Sequence, residues 1–168
     1  MGVMKHSENT CRRFRRNKVE VALHFVWSTH EHLPLLTEEL ERPVYRCIQA
    51  EAKALACEVL AIGGMPDHVH LIIAFHTTVS IAMLMKQVKG VSSALASDLL
   101  NHASFFGWDD GYAVFSMSAK HCEVAIAYVK RQKEHHGENK TWAWWEETGI
   151  EFIPSHPPTE RGRQKASG

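Results

Sequence analysis

The most constraining feature of this chain is a pair of short apolar stretches in its middle, separated by a tight turn. Residues 57–62 (CEVLAI) and 68–75 (HVHLIIAF) have the length and composition of strands, and the residues between them, GGMPD, are typical of a turn. The two strands are close enough to pair as an antiparallel hairpin. Because helical patterns flank this hairpin on both sides, the chain is expected to mix helices with one antiparallel sheet.

The remaining elements follow from hydrophobic periodicity. Alternation of apolar residues predicts strands, and apolar residues at helical spacing predict helices. In chain order the predicted elements are a strand over 20–29, a helix over 38–56, the two hairpin strands, a helix over 79–101, a strand over 111–117 and a helix over 119–136.

This order, β-α-β-β-α-β with one further helix, predicts an α+β fold of the ferredoxin-like (RRM-like) class, with a four-stranded antiparallel sheet. Two crossover helices should cover one face of the sheet. The other face is left for a ligand or for the last helix, which carries Tyr128.

Charge divides the chain into a body and two arms. The 168 residues have no net charge, but residues 1–18 carry +5, residues 159–168 carry +2 and residues 19–158 carry −7. We therefore predict a basic arm over 1–17, one folded domain over 18–148 and an extended tail over 149–168. Basic arms often bind nucleic acid, although a solvated tail is the simpler alternative. The candidate contacts in the arm are Arg12, Arg13, Arg15 and Arg16.

Several classes of protein are excluded by the sequence. No apolar run approaches the roughly 20 residues of a membrane helix, and the N-terminus lacks the apolar core of a secretory signal. The four cysteines form no C-x-x-C pair and suit reduced thiols, so a cytoplasmic location is expected. No Walker motif is present, so we expect no nucleotide cofactor.

Two histidines in the second hairpin strand are the first candidate site residues. His68 and His70 are two positions apart and therefore point to the same side of the strand, away from the apolar row of Val69, Leu71 and Ile73. Two imidazoles on a rigid strand can bind one metal ion. The same pattern also occurs without any metal.

The last predicted helix supplies a second group of candidates. Tyr128 and Gln132 lie one turn apart on one side of this helix, where a phenol could act as a nucleophile and an amide oxygen could complete a metal site. Lys130 and Arg131 add positive charge beside them. The alternative is that Tyr128 only packs and Gln132 only faces solvent.

These motifs resemble those of a known family. Residues 64–73 (GMPDHVHLII) look like the HUH motif (His, hydrophobic, His) of the small single-tyrosine transposases, and residues 128–136 (YVKRQKEHH) resemble their tyrosine helix. Residues 26–29 are similar to the end of their first strand. Residues 106–118 are similar to the segment before the tyrosine helix, especially in the IS200-like branch called REP-associated tyrosine transposases. The four blocks have the family's order.

The resemblance implies a metal-dependent transposase of single-stranded DNA that cuts and rejoins strands through a 5′-phosphotyrosine. Carried over by residue, Tyr128 would be the nucleophile, and the metal ligands would be His68, His70 and Gln132. The implied cofactor is Mg²⁺ or Mn²⁺, and the implied partners are DNA hairpins at the element ends and a second copy of the chain. Lys130, Arg131 and the arginines of the arm are the candidate DNA contacts.

Other interpretations use the same residues less completely. A histidine-triad hydrolase would need a third histidine where Ile72 stands, and an RRM-like binding module would need stacking aromatic residues on the free sheet face. Replication or plasmid-transfer nickases with the HUH motif are usually larger. A domesticated HUH nuclease or DNA-hairpin-binding protein without transposition stays the main alternative.

Overall fold

The computed structural model of the protein describes residues 19–131. The predicted element order is confirmed, and the elements are β1 (Ala22–Ser28), a 3-10 turn (His30–His32), α1 (Glu38–Ala54), β2 (Glu58–Met65), β3 (His68–Ala74), α2 (Ile81–Leu99), β4 (Ala113–Met117) and α3 (Ala119–Lys130). The predicted arm over 1–17, Gln132 and the tail over 149–168 lie outside the described residues.

The four strands form one antiparallel sheet in the order β2-β3-β1-β4. The two hairpin strands are joined directly, and β1 lies between β3 and β4. This is the ferredoxin-like α+β arrangement that the element order predicts. The histidine strand β3 is therefore an inner strand with neighbours on both sides.

The first face of the sheet carries the main hydrophobic core. Alternate residues of β1 and β3 point to this face, where α1 and α2 pack over them. The predicted apolar row of Val69, Leu71 and Ile73 is fully buried there. Leu23, Phe25 and Trp27 of β1 complete the floor of this core. We call this side the helix-packed face.

The second face of the sheet is covered by α3. A small apolar cluster joins the helix to the sheet; its buried members are Ala61, Ile72, Cys122, Ala125, Tyr128 and Val129. The predicted cap is present, since the Ser118 hydroxyl accepts a hydrogen bond from the His121 amide at 3.3 Å. We call this side the histidine face.

The hairpin turn is shorter than the sequence suggested. Gly63, Gly64 and Met65 belong to β2 and pair with β3, so the turn consists of Pro66 and Asp67 alone. At Gly63 the reason for glycine is the close approach of α3, because an added Cβ would stand against the Val129 carbonyl oxygen. Backbone space, rather than turn geometry, requires glycine at this position.

The helices also differ slightly from their predicted ranges. α1 ends at Ala54 because Ala56 takes a left-handed conformation, with φ of 58°, which stops a helix. α2 begins at Ile81 because the Ser80 hydroxyl caps it, accepting from the Met83 amide at 3.1 Å. α3 is described as far as Lys130, and the predicted helical residues after Arg131 lie outside the described residues. Within 19–131, no helix is both long and apolar enough to span a membrane.

Candidate active site

His68 and His70 lie together on the histidine face, as their spacing predicts. Their ring centroids are 5.1 Å apart, and the rings are nearly perpendicular. Both side chains are buried, His70 completely. Burial of two imidazoles is costly unless their nitrogens find polar partners, so the partners of each ring decide what the pair can do.

Asp67 holds the first of the two rings. Its Oδ1 atom lies 2.7 Å from Nδ1 of His68, and a carboxylate can only accept, so Nδ1 carries the hydrogen. The Nε2 lone pair of His68 is then directed away from Asp67. The Asp67 backbone is held in turn by Thr29, whose amide and hydroxyl donate to the Asp67 carbonyl at 2.8 and 3.0 Å. The turn that carries this carboxylate is thereby fixed to the end of β1.

His24 holds the second ring, although no motif in the sequence pointed to this residue. Nε2 of His24 lies 2.9 Å from Nδ1 of His70, and both residues are completely buried. In the β1–β3 pairing His70 lies opposite Val26, so His24 contacts it diagonally. The sequence did contain a clue to His24. Alternation in β1 places Phe25 on one face of the sheet and therefore His24 on the other. The missing information was the register of β1 against β3, which sets Val26 opposite His70 and leaves His24 diagonal to it.

Tyr128 reaches the same site from α3. Its ring lies edge-on to His70 with the centroids 6.3 Å apart, and the residue is only 5% exposed. Cys122 and Ala125 precede it on the packed side of the helix, and Val129 follows it there. The helix and the histidines belong to the same chain in this arrangement.

The remaining candidate residues divide into two groups. Lys130 and Arg131 are exposed and follow Tyr128 by two and three residues along the chain. Gln132 and the four arginines of the arm lie outside the described residues. The structure therefore brings Tyr128, His68 and His70 together, and the placement of the third predicted ligand stays a prediction.

The donor chemistry of the two histidines fits a metal ion. Nδ1 of each ring faces a partner within the fold, which leaves Nε2 as the coordinating atom on each ring. Within 19–131 there is no group of three or more His, Cys, Asp or Glu side chains that could hold a metal ion. The two histidines would thus be part of a set completed by other donors, and nitrogen ligands suit Mn²⁺ better than Mg²⁺.

Two alternatives from the sequence lose support in this geometry. Ile72 takes the place where a histidine-triad hydrolase needs a third histidine, and it is fully buried in the cluster with α3. The same helix covers the sheet face that an RRM-like module leaves open for bases.

The family follows from comparison with known proteins. The profile described as "Transposase IS200 like" matches residues 17–132, which is most of the chain. The chain belongs to the IS200-like transposase family. It is accordingly a DNA transposase, as the HUH and tyrosine motifs predict.

Two solved structures have a fold similar to that of this IS200-like transposase. A candidate transposase from Deinococcus radiodurans R1 is 21% identical, with a TM-score of 0.56 over 75% of this chain and 95% of that one. A REP-associated tyrosine transposase bound to a REP hairpin is 15% identical, with a TM-score of 0.55 over 74% of this chain and 73% of that one. Among curated protein sequences, none matches. At these identities the structural likeness supports the fold.

Proposed function

We propose that this transposase cuts and rejoins single-stranded DNA with Tyr128 as the nucleophile and His68, His70 and Gln132 as ligands of a divalent cation. The observation that carries the proposal is the position of the Tyr128 ring, edge-on to His70 at the centre of the histidine face. A phenol beside two imidazoles whose Nε2 atoms could coordinate a cation is the combination that nucleophilic phosphoryl transfer needs.

The reaction can be written with all atoms balanced. The Tyr128 Oη atom attacks a DNA phosphorus, the P–O3′ bond breaks, and the phenolic proton ends on the released 3′ oxygen. The products are a 5′-phosphotyrosine and a free 3′-OH. A second 3′-OH can then attack the phosphotyrosine and restore the phenol, so no ATP is consumed. A cation bound at the site would supply neutralisation of the negative phosphate oxygens.

The residues around the site suggest how DNA would be held. Lys130 and Arg131 are exposed beside the nucleophile, where they could contact phosphates of a single strand. We propose the arginines at 12, 13, 15 and 16 as further phosphate contacts. A hairpin is the proposed substrate because one structural neighbour is bound to a REP hairpin. We also propose a homodimer, on the family resemblance.

The decisive experiment is a covalent trapping assay with the full chain. Hairpin-bearing single-stranded oligonucleotides, labelled at either end, are incubated with MnCl₂ or MgCl₂ and resolved under denaturing conditions. We expect a protein–DNA band only with the 3′ label, because the tyrosine retains the downstream fragment through its 5′-phosphate. Excess chelator should abolish the band.

Tyr128→Phe is the variant that tests the nucleophile. It removes one oxygen and keeps the ring, so the fold and hairpin binding should persist while the adduct and the nick disappear. Tyr112→Phe is the matched control, because Tyr112 packs against the main core, and it should react like the wild type. An adduct on another residue would refute the assignment. Nicking by Tyr128→Phe at the wild-type rate would indicate a nuclease that uses water.

The trapping assay also separates transposition from its main alternative. A transposase should join the released 3′-OH to a second DNA strand and yield recombinant products. Cleavage without any joined product would favour a domesticated HUH nuclease, and hairpin binding without cleavage would favour a binding protein.

A further inference from the structure

We propose that His24 is a positioning residue for His70: it accepts the Nδ1 hydrogen of His70 and thereby keeps a hydrogen off Nε2, the atom of His70 that would bind a metal ion. The inference rests on the metal role proposed above for His70. It adds a residue, from a different strand, that neither the sequence motifs nor the family match identifies.

The contact between the two rings has the geometry of a real hydrogen bond. Nε2 of His24 and Nδ1 of His70 are 2.9 Å apart, a normal distance for two nitrogens that share one hydrogen. Both rings are completely buried, and their planes differ by only 23°. Forty-six residues separate them in sequence, so the contact is produced by the β1–β3 pairing.

Only one of the two possible proton arrangements is compatible with a ligand role for His70. If Nδ1 of neutral His70 accepts, the ring carries its hydrogen on Nε2 and cannot coordinate through that atom. If Nδ1 donates to His24, the Nε2 atom of neutral His70 carries no hydrogen and can coordinate. A neutral His24 ring that accepts at Nε2 carries its own hydrogen on Nδ1.

Asp67 and His24 thus have the same role: each fixes the hydrogen on Nδ1 of one of the two proposed metal ligands. Asp67 fixes the hydrogen of His68 on Nδ1 through a carboxylate, and His24 does so for His70 through a ring nitrogen. The contact between His24 and His70 is completely buried, whereas Asp67 lies at the partly exposed edge of the site. The Phe115 ring, 6.1 Å from His24 between centroids, limits the space in which the His24 ring can turn.

The test uses two readouts on the full-length protein and its variants. The tautomer of His70 is read in metal-free protein at pH 8 from ¹H–¹⁵N couplings of labelled histidines, with His70→Gln to assign the signal. The affinity for Mn²⁺ is measured by titration calorimetry. Neither readout depends on DNA cleavage.

The key variants are His24→Phe, which keeps a ring but removes the acceptor, and His24→Gln, whose amide oxygen can accept. We expect the wild type to show the Nδ1–H form of His70 and His24→Phe to lose it. Mn²⁺ affinity should fall about 10- to 100-fold in His24→Phe and return most of the way in His24→Gln. A purely packing role predicts no change of Mn²⁺ affinity in His24→Phe.

The outcomes separate this proposal from the proposed function. Wild-type Mn²⁺ binding with unchanged affinity in both variants would overturn the role of His24 alone. An Nε2–H form of His70 in the wild type would also overturn it, and this measurement needs no variant to fold. Absence of Mn²⁺ binding by the wild type would overturn the metal role and this proposal together.

Discussion

The two faces of the sheet are built from the same strands but differ in the residues they bury. In β3, Leu71 points into the large core under α1 and α2, and its neighbour Ile72 points into the small cluster under α3. On the helix-packed face the buried floor is apolar. On the histidine face, buried imidazoles make up much of the floor.

The difference shows where stability and chemistry reside. Apolar burial contributes about 25 cal/mol per Å², so the face with the larger apolar core contributes most of the stability. Buried imidazoles contribute little and are tolerated because Asp67 and His24 each form a hydrogen bond to the Nδ1 atom of one of them. The core on the helix-packed face therefore stabilises the fold that keeps the polar site on the histidine face buried and ordered.

The largest expected effect comes from truncating neighbouring residues on opposite faces. Leu71→Ala should lower the free energy of unfolding by about 3–5 kcal/mol, because the crowded core cannot collapse around the cavity. Ile72→Ala should cost about 2 kcal/mol, because α3 can shift to fill the space. Urea denaturation of both variants checks the difference, and equal losses would contradict it.

Cysteine reactivity sharpens the same comparison. Cys57 is buried in the main core and Cys122 in the cluster under α3, while Cys47 is half-buried and serves as the accessible reference. Burial raises the pKa of both the Cys122 and the Cys47 thiol, with further rises from Glu123 and Glu51, so slower reaction of Cys122 with iodoacetamide should come from its lower accessibility. Ile72→Ala should speed alkylation of Cys122 and leave Cys57 protected. Faster labelling of both would mean global unfolding.

Local patterns in the sequence account for most of the fold. Alternation in residues 68–75 places His68 and His70 opposite the apolar row, and this prediction needed only the pleat of a strand. The third helix and its cap at Ser118 also follow from local signals. These features depend on neighbours in the chain, which a sequence displays directly.

What the sequence could not predict depends on contacts between distant segments. His24 became a site residue only through the register in which β1 pairs with β3, and Gly63 resembled a turn residue because the approach of α3 was unknown. Tyr128 was identified through its helix position and a family resemblance. Its distance from His70 required the packing of α3 on the sheet.

Two glycines provide the next test, one on each side of the molecule. Gly63→Ala places a methyl group against the Val129 carbonyl and 3.2 Å from its Cγ1 atom, so α3 must move. We expect a loss of about 1–3 kcal/mol of stability and a marked loss of adduct formation, because Tyr128 adjoins Val129.

Gly90→Ala is the matched control. Gly90 lies within α2, and an added Cβ meets nothing within 4 Å. The substitution should stabilise the protein by about 0.5–1 kcal/mol through helix propensity and leave the adduct unchanged. Thermal unfolding and the trapping assay measure both effects. Wild-type adduct formation in Gly63→Ala would contradict this prediction, because the reaction of Tyr128 would then tolerate a displacement of α3.

A smaller loss of stability is expected from a polar contact at the edge of the helix-packed face. Nζ of Lys89 donates to the backbone carbonyls of Asp109, Asp110 and Gly111 at 2.5, 3.1 and 3.0 Å, which ties α2 to the segment before β4. Lys89→Met keeps the chain length but removes these bonds, so we expect a loss of about 1–2 kcal/mol. Lys86→Met, on an exposed position of the same helix, should change stability by less than about 0.5 kcal/mol.

The pH dependence of the Lys89→Met effect has a definite sign. Burial lowers the pKa of Lys89, and the charges of Asp109 and Asp110 oppose that shift only in part. Between the lowered pKa and the ordinary value of 10.5, the unfolded chain binds more protons at this site than the folded chain does. Stability from this group therefore rises with pH across that window and is constant below it. The difference in free energy of unfolding between the wild type and Lys89→Met should shift in favour of the wild type as pH increases toward 10.5. A shift in favour of the variant, measured by urea denaturation over that pH window, would contradict the assignment.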